Sequence, residues 1–224
     1  MGGIWSGFLD IIRVAFEAFT HMAGGNYVVG IILLTLAVRI VLLPLGIIQA
    51  RSMQKMAKVS PRQRELQQKH KGNPKVLQEE IAKLYKEEGV NPASGCLPLL
   101  LQIPVMYGLF DVLRSFKYVP HHGLWIWQNL AIPDHTYVLP VLVAVSTFFM
   151  QKQTMAMTPP QPGMEASQKM MLWMMPIIFG YVASKFPAGL SIYYVVSNLF
   201  QVVQTTVLLR KPANGATGGA PAKS

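Results

Sequence analysis

Long apolar runs separated by short polar stretches dominate this chain. The first run extends from Val28 to Ile48, matching the ~20 residues that a bilayer-crossing helix needs. Four more runs lie at about 95–115, 137–155, 170–186 and 188–209. Pro98, Pro104, Pro140 and Pro176 interrupt them; neighbouring helices can absorb such breaks within a membrane. The pattern predicts an all-α, polytopic membrane protein with five transmembrane helices.

Two other segments have a different periodicity. In residues 4–21, Ile4, Phe8, Ile11, Ala15 and Phe19 share one helical face, while Ser6, Asp10, Arg13, Glu17 and Thr20 share the other. With Trp5 and a span following, this predicts an N-terminal helix lying in the membrane interface; an ordinary packed helix is the plainer alternative. Residues 51–92 are polar, with Pro61 and the breaker Lys71-Gly-Asn-Pro74. Leu77, Ile81 and Leu84 then form a stripe, and Glu79 and Lys83 an i,i+4 pair. Two helices in an antiparallel, solvated hairpin turning at Gly72–Pro74 are expected. The tail from Pro212 is rich in Gly, Ala and Pro and is expected to be disordered.

The expected organisation is an interfacial helix at 1–25, spans at 26–50, 93–116, 137–155, 170–186 and 188–209, the hairpin at 51–92, an outer loop at 117–136, an inner loop at 156–169 and a tail at 210–224. Composition supports it. The chain is 51% hydrophobic and 13% charged, against about 25% charged in soluble domains. Its charge of +10 is uneven, because ten of its twenty Lys and Arg lie in residues 51–90. Lys152, Lys169, Arg210, Lys211 and Lys223 fall on the hairpin's side, and Arg13, Arg114, Lys117 and Lys185 on the other. The positive-inside rule then predicts a plasma-membrane protein with a cytoplasmic hairpin and C-terminus and an outside N-terminus. It also makes the basic excess a topological signal rather than a footprint for sequence-specific nucleic-acid binding. Trp125, Trp127 and Tyr137 are suitable interface anchors. The first 25 residues carry no secretory signal, since Asp10 and Glu17 interrupt them, so the first span is expected to act as its own signal. Cys96 is the only cysteine, which excludes an intramolecular disulfide and a multi-cysteine metal site; no cofactor is expected.

Arg39 lies near the centre of the first run, where a guanidinium costs roughly 2.5–3.5 kcal/mol on insertion scales. No Asp or Glu occurs inside any span at its level, Asp111 being nearer the outer end of the second. Thr35, Arg39, Gly46 and Gln49 are expected to share a face of the first helix. Tyr194, Asn198, Gln201 and Thr205 recur at spacings of 4, 3 and 4 along the last. Gln102 and Gln151 fall in the inner halves of the second and third spans. These groups together predict a polar groove, wet from the cytoplasm and closed toward the outside; for any one of them alone, interhelical hydrogen bonding suffices. Eight of the thirteen methionines lie between Met150 and Met175, a composition suited to varied apolar partners, with core filling and lipid contact as the plainer account.

The stretch Asn91-Pro-Ala-Ser-Gly-Cys-Leu-Pro-Leu-Leu-Leu-Gln-Ile-Pro-Val-Met-Tyr-Gly-Leu-Phe110 resembles the second-core-span signature of the YidC/Oxa1/Alb3 membrane protein insertases. Gly189-Leu-Ser-Ile-Tyr-Tyr-Val-Val-Ser-Asn-Leu-Phe-Gln201 is similar to their last span. The first-span arginine, the basic hairpin and Leu84-Tyr-Lys-Glu-Glu-Gly-Val-Asn-Pro92 also look like this family, over residues 4–210. The resemblance implies an ATP-independent insertase that moves newly made membrane proteins from the cytoplasm into the lipid bilayer, alone or beside the Sec translocon. It maps groove residues onto Arg39, Gln151 and Tyr194. The basic hairpin is a solvated topology determinant, a dock for anionic lipid headgroups, or a first contact for clients and targeting factors; the ribosome is a further candidate partner, although the tail carries few charges for ribosome binding. The large periplasmic domain of Gram-negative members is missing, so the chain resembles the short Gram-positive type, without the lipidated cysteine with which those often begin.

Two other classes compete. A small-solute or ion transporter could also place an arginine in a membrane cavity, but internal repeats and further ionisable groups would be expected. An intramembrane hydrolase would need a nucleophile and a base. Ser191 lacks the second glycine of a Gly-x-Ser-x-Gly elbow, and none of the five histidines falls in a predicted span. No Gly-x4-Gly-Lys-Ser/Thr loop occurs either.

Overall fold

The computed structural model describes residues 2–70, 72–91, 97–116, 127, 129–157 and 165–210. Among them are eight α-helices: α1 (Gly2–Met22), α2 (Tyr27–Val41), α3 (Leu43–Lys69), α4 (Pro74–Glu87), α5 (Leu97–Ser115), α6 (Val138–Met157), α7 (Glu165–Ala183) and α8 (Ala188–Arg210). The expected anchor Trp125, the loop residue Met164, Cys96 and the tail from Pro212 lie outside the described residues.

Several helices begin where the chain supplies a reason. Asn26 caps α2, its side-chain oxygen accepting from the amides of Val28 (3.0 Å) and Val29 (3.2 Å). Asn73 does the same for α4 through Val76, and Pro74 occupies the first turn, where a missing N–H costs nothing. Asp134 holds the start of α6. Its carboxylate accepts from the Thr136 amide (2.9 Å), the Thr136 hydroxyl (2.6 Å) and the Leu139 amide (2.8 Å).

Helix α8 lies at the centre and packs on α2, α5, α6 and α7. The largest apolar core joins α1, α2, α5 and α8 through Phe16, Ile31, Leu109, Leu113 and Tyr193, with Leu130 closing it from the loop before α6. That loop is tied to the α7–α8 turn: the amides of Ala188 and Gly189 donate to the carbonyls of Ile132 (2.8 Å) and Leu130 (3.1 Å). A second, small core of Met56, Val59, Leu84 and Val90 holds the α3–α4 hairpin together.

Several expectations need correction. The run 28–48 is not one straight helix. The chain bends by 58° between α2 and α3, because Pro44 has no amide to donate back to Ile40 and ends the ladder there. Gly46 and Gln49 therefore belong to α3, which continues without interruption into the hairpin, rather than sharing a helical face with Thr35 and Arg39. Pro61 lies inside α3 without ending it. Helix α7 begins at Glu165, so Lys169 is helical rather than in the inner loop, and α6 runs on past residue 155 to Met157. The buried stripe of α1 is also rotated. Ile12 and Phe16 are buried with Thr20, whereas Ile11 is 70% exposed. Helix α1 packs on α2 and α5 along that stripe, because two neighbours select a different face from the one a flat interface would. At Gly30 the approach is so close that a Cβ would overlap the Thr20 hydroxyl and come within 3.1 Å of its Cα.

Helices α5 to α8 are about 28–35 Å long at 1.5 Å per residue, comparable to the ~30 Å hydrocarbon core of a bilayer. Among the described residues, no single helix is both long and apolar enough to cross a membrane; the bent pair α2–α3 is, taken together. Polar Ser, Thr, Asn and Gln side chains dilute the other helices. Their apolar residues nonetheless face outward in quantity. On α6, Val141, Val145 and Phe149 are exposed, and on α7 so are Met170, Trp173, Ile177 and Tyr181. On α8, Leu199, Val203 and Val207 are exposed too. Soluble monomers do not expose apolar surface on this scale.

Candidate functional site

Arg39 sits in the last turn of α2 and is partly buried. Its Nη1 donates to the Gln201 side-chain oxygen on α8 at 3.3 Å. Ion pairs among the described residues are Arg62–Glu88 and Lys83–Glu80, both in the hairpin. The guanidinium thus meets a neutral amide and no carboxylate among those residues. A single neutral bond occupies one of its five N–H donors.

A second polar contact adjoins the first. Gln102 on α5 donates through Nε2 to the Tyr193 hydroxyl at 2.7 Å, and that hydroxyl lies within electrostatic range of Arg39. Helix α8 thus makes one polar contact with α2, Arg39–Gln201, and another with α5, Gln102–Tyr193. Tyr193 is 2% exposed. Its neighbour Tyr194 also reaches α5, directing its hydroxyl at the sulfur of Met106, one turn on from Gln102, at 3.2 Å.

The remaining candidates are distributed around α8 rather than gathered at Arg39. Asn198 is buried and donates through Nδ2 to the hydroxyls of Ser146 (3.2 Å) and Thr147 (3.0 Å) on α6. Gln153 extends the same seam, donating to the Val202 carbonyl (3.2 Å) and the Thr206 hydroxyl (2.7 Å). Thr35 is fully buried, and its hydroxyl bonds back to the Ile31 carbonyl at 2.6 Å. Three polar atoms of α6 and α8 are buried without a protein partner: Gln151 Oε1, Ser197 Oγ and Gln204 Nε2, the last against Gly46 of α3. Buried groups of this kind normally have a partner, often water.

Tyr193, Ser146, Thr147 and Gln153 escaped the sequence reading. Tyr193 was hidden by Tyr194, since two adjacent tyrosines point about 100° apart on a helix and the spacing alone favours neither. Ser146 and Gln153 are seven residues apart on α6, a spacing that keeps one face; a search for polar rows on the third span would have found them.

No group of three or more His, Cys, Asp or Glu that could hold a metal occurs among the described residues. Outside the apolar runs, the buried Asp134 carboxyl is pushed up by desolvation. The hydrogen bonds from Thr136 and Leu139 outweigh that, and the net effect holds it below the usual aspartate value. The Trp127 indole contributes in the same sense without reaching full hydrogen-bond geometry. In the hairpin, burial pushes the Tyr85 phenol up; its hydroxyl donates to Gln63 at 3.3 Å.

Known proteins resemble this chain over most of its length. A family model described as 60Kd inner membrane protein matches residues 18–214. A membrane protein insertase YidC of Clostridium perfringens is 41% identical over 195 residues, covering 85% of this chain and 81% of the relative. The membrane protein insertase MisCA of Bacillus subtilis is 37% identical, with 86% and 75% covered. A YidC of Chlorobium limicola is 38% identical, but the chain spans only 35% of that longer protein. An active YidC insertase crystal structure superposes with a TM-score of 0.68 at 29% identity, covering 89% of this chain and 45% of the other. A family match across most of the sequence, relatives at these identities and a common helical arrangement lead to one conclusion: the chain belongs to the YidC family of membrane proteins.

Proposed function

We propose that this protein inserts newly made membrane proteins into the lipid bilayer from the cytoplasmic side, through a hydrophilic groove in which Arg39 attracts acidic or polar client segments. The observation that carries the reading is the Arg39 guanidinium in its neutral setting, with Gln201 as its hydrogen-bond partner. A cation so placed has donors to offer an arriving carboxylate. Gln201 lies beside it, Gln102, Asn198 and Thr35 are polar groups elsewhere along α5, α8 and α2, and the unpartnered atoms of Gln151, Ser197 and Gln204 favour water in the groove. A client's polar tail thereby avoids most of the desolvation it would meet in hydrocarbon.

The apolar part of the client moves against lipid along the exposed faces of α6 and α8. Leaving water for lipid supplies the driving force, at about 25 cal/mol per Å² of apolar surface, and no nucleotide is required. In this reading the chain crosses the membrane five times, with α2 and the start of α3 forming the first crossing and the N-terminus outside. The basic hairpin is the first contact for clients and targeting factors, and deleting residues 53–88 should abolish insertion while leaving the protein in the membrane.

The direct test is Arg39→Ala beside Arg39→Lys, in proteoliposomes supplied with a client carrying an acidic tail. Lys keeps the charge and should retain most insertion, whereas Ala should lose it. Normal insertion by Arg39→Ala would remove Arg39 as the receptor.

A further inference from the structure

Helix α3 carries one exposed row across the point where it leaves the apolar run. Pro44, Ile48, Arg51, Lys55, Lys58 and Arg62 follow one another at spacings of three or four residues, and all are exposed, so they share a helical face. The row is apolar up to Ile48, which is 62% exposed, and cationic from Arg51 on. Gly46 and Ala50 mark the opposite side. A Cβ at Gly46 would overlap the side-chain amide of Gln204 on α8, and Ala50 is buried. The bundle thus covers one side of α3 and leaves the row facing away from it.

Arg62 pairs with Glu88 of α4. Arg51, Lys55 and Lys58 have no ion-pair partner among the described residues. Like charges at these spacings disfavour the helix that carries them, a cost that an anion lying along the row removes. Arg51 and Lys58 are about 10 Å apart along the axis at 1.5 Å per residue. With α2 taken along the bilayer normal, the 58° bend into α3 turns that length into only about 6 Å of height. All three cations then stay within the ~8 Å screening length of the membrane surface at physiological salt.

We propose that Arg51, Lys55 and Lys58 form a docking row for anionic phospholipid headgroups of the cytoplasmic leaflet. Ile48 enters the hydrocarbon, the three cations rest on headgroup phosphates, and the lipid holds α3 at its lean to the bilayer. The inference rests on the proposed first crossing by α2 and the start of α3. An RNA or an acidic client segment carries the same charge, but each arrives from the aqueous side, and neither accounts for an exposed isoleucine that continues the row. The rest of the hairpin stays open to such partners.

The experiment uses the full chain with Cys96→Ser and a bimane attached through Ile48→Cys, in phosphatidylcholine vesicles doped with phosphatidylglycerol or phosphatidylcholine bearing the same chain nitroxide. Quenching of the bimane reads which lipid adjoins the row, and phosphatidylglycerol should quench more strongly. Arg51→Gln, Lys55→Gln and Lys58→Gln should each lower its association relative to phosphatidylcholine by up to about fivefold, and added salt should lower it too. Arg51→Lys should keep it. The triple glutamine variant retains seven of the ten cations in residues 51–90, so its orientation should hold, and it should erase the preference. Equal quenching by the two lipids without these substitutions, or a preference that survives the triple variant, would overturn the proposal. Loss of ribosome or acidic-client binding in the triple variant, with the lipid preference unchanged, would assign the row to those partners and also overturn it. Quenching by neither lipid would put Ile48 outside the bilayer and overturn the proposed crossing together with the site.

Discussion

Replacing Gln201 by Glu puts a carboxylate where a neutral oxygen now lies 3.3 Å from Arg39 Nη1. The side chains are nearly isosteric, so packing around α8 should survive. At that separation and an effective dielectric of about 20, the attraction is about 5 kcal/mol before desolvation. A net hydrogen bond to a charged group is worth about 1.5–3 kcal/mol. The resident carboxylate therefore competes with a client's acidic tail by that smaller amount, or roughly tenfold to a hundredfold in insertion rate. The assay is insertion into proteoliposomes, scored by protease protection of the translocated tail, with one acidic and one uncharged client. The acidic client should slow by that factor, the uncharged one should change by no more than a few-fold, and thermal stability in detergent should hold or rise. Wild-type insertion of the acidic client by a folded Gln201→Glu protein would refute attraction at Arg39. Equal losses for both clients would show that Gln201 supports structure rather than charge recognition.

Asn198→Leu removes two interhelical bonds worth about 0.6 kcal/mol each in a membrane, so thermal stability should fall slightly while insertion stays near wild type; a large insertion loss in a stable variant would place Asn198 in the client path. Gly30→Ala should destabilise by about 1–3 kcal/mol through overpacking against Thr20, seen in detergent unfolding, with Thr20→Ala restoring only part because the main chain of residue 20 stays just as near. Asp134→Asn leaves the Leu139 amide facing an NH₂ group or unpaired and should cost about 1–3 kcal/mol. Because the folded-state pKa of Asp134 is depressed, its contribution is present above the unfolded value of ~3.9 and lost as pH falls through the folded one. Wild type should thus lose part of its stability in acid over that window, and a titration of unfolding that shows the same acid slope for Asp134→Asn would contradict this assignment.

Hydrophobic content and charge placement made membrane residence, the helical class and the basic hairpin legible in the sequence, and the resemblance of Asn91–Phe110 and Gly189–Gln201 to known motifs pointed to the family. Content and charge are summed over many residues, and exchanging one neighbour for another barely alters them. Arg39 stood out for the same reason: a guanidinium in an apolar run is costly wherever the helices lie. The pairings were not legible. Thr35, Asn198 and Arg39 look equivalent as polar residues on helical faces, yet one bonds its own backbone, one bonds α6 and one meets Gln201.

Only the packed helices decided these choices. The face of α1 that is buried depends on where α2 and α5 stand, which is why Ile12 and Phe16 are inside and Ile11 is not. The bend at Pro44 separates Gly46 and Gln49 from the face that carries Arg39, and the packing of α8 on α5 sets Tyr193 against Gln102 and Tyr194 against Met106. Composition and periodicity act within one element, so the chain itself specified which segments form helices and where they reside. Hydrogen bonds reach only about 3 Å, so the partner of each polar side chain was settled by how those helices meet.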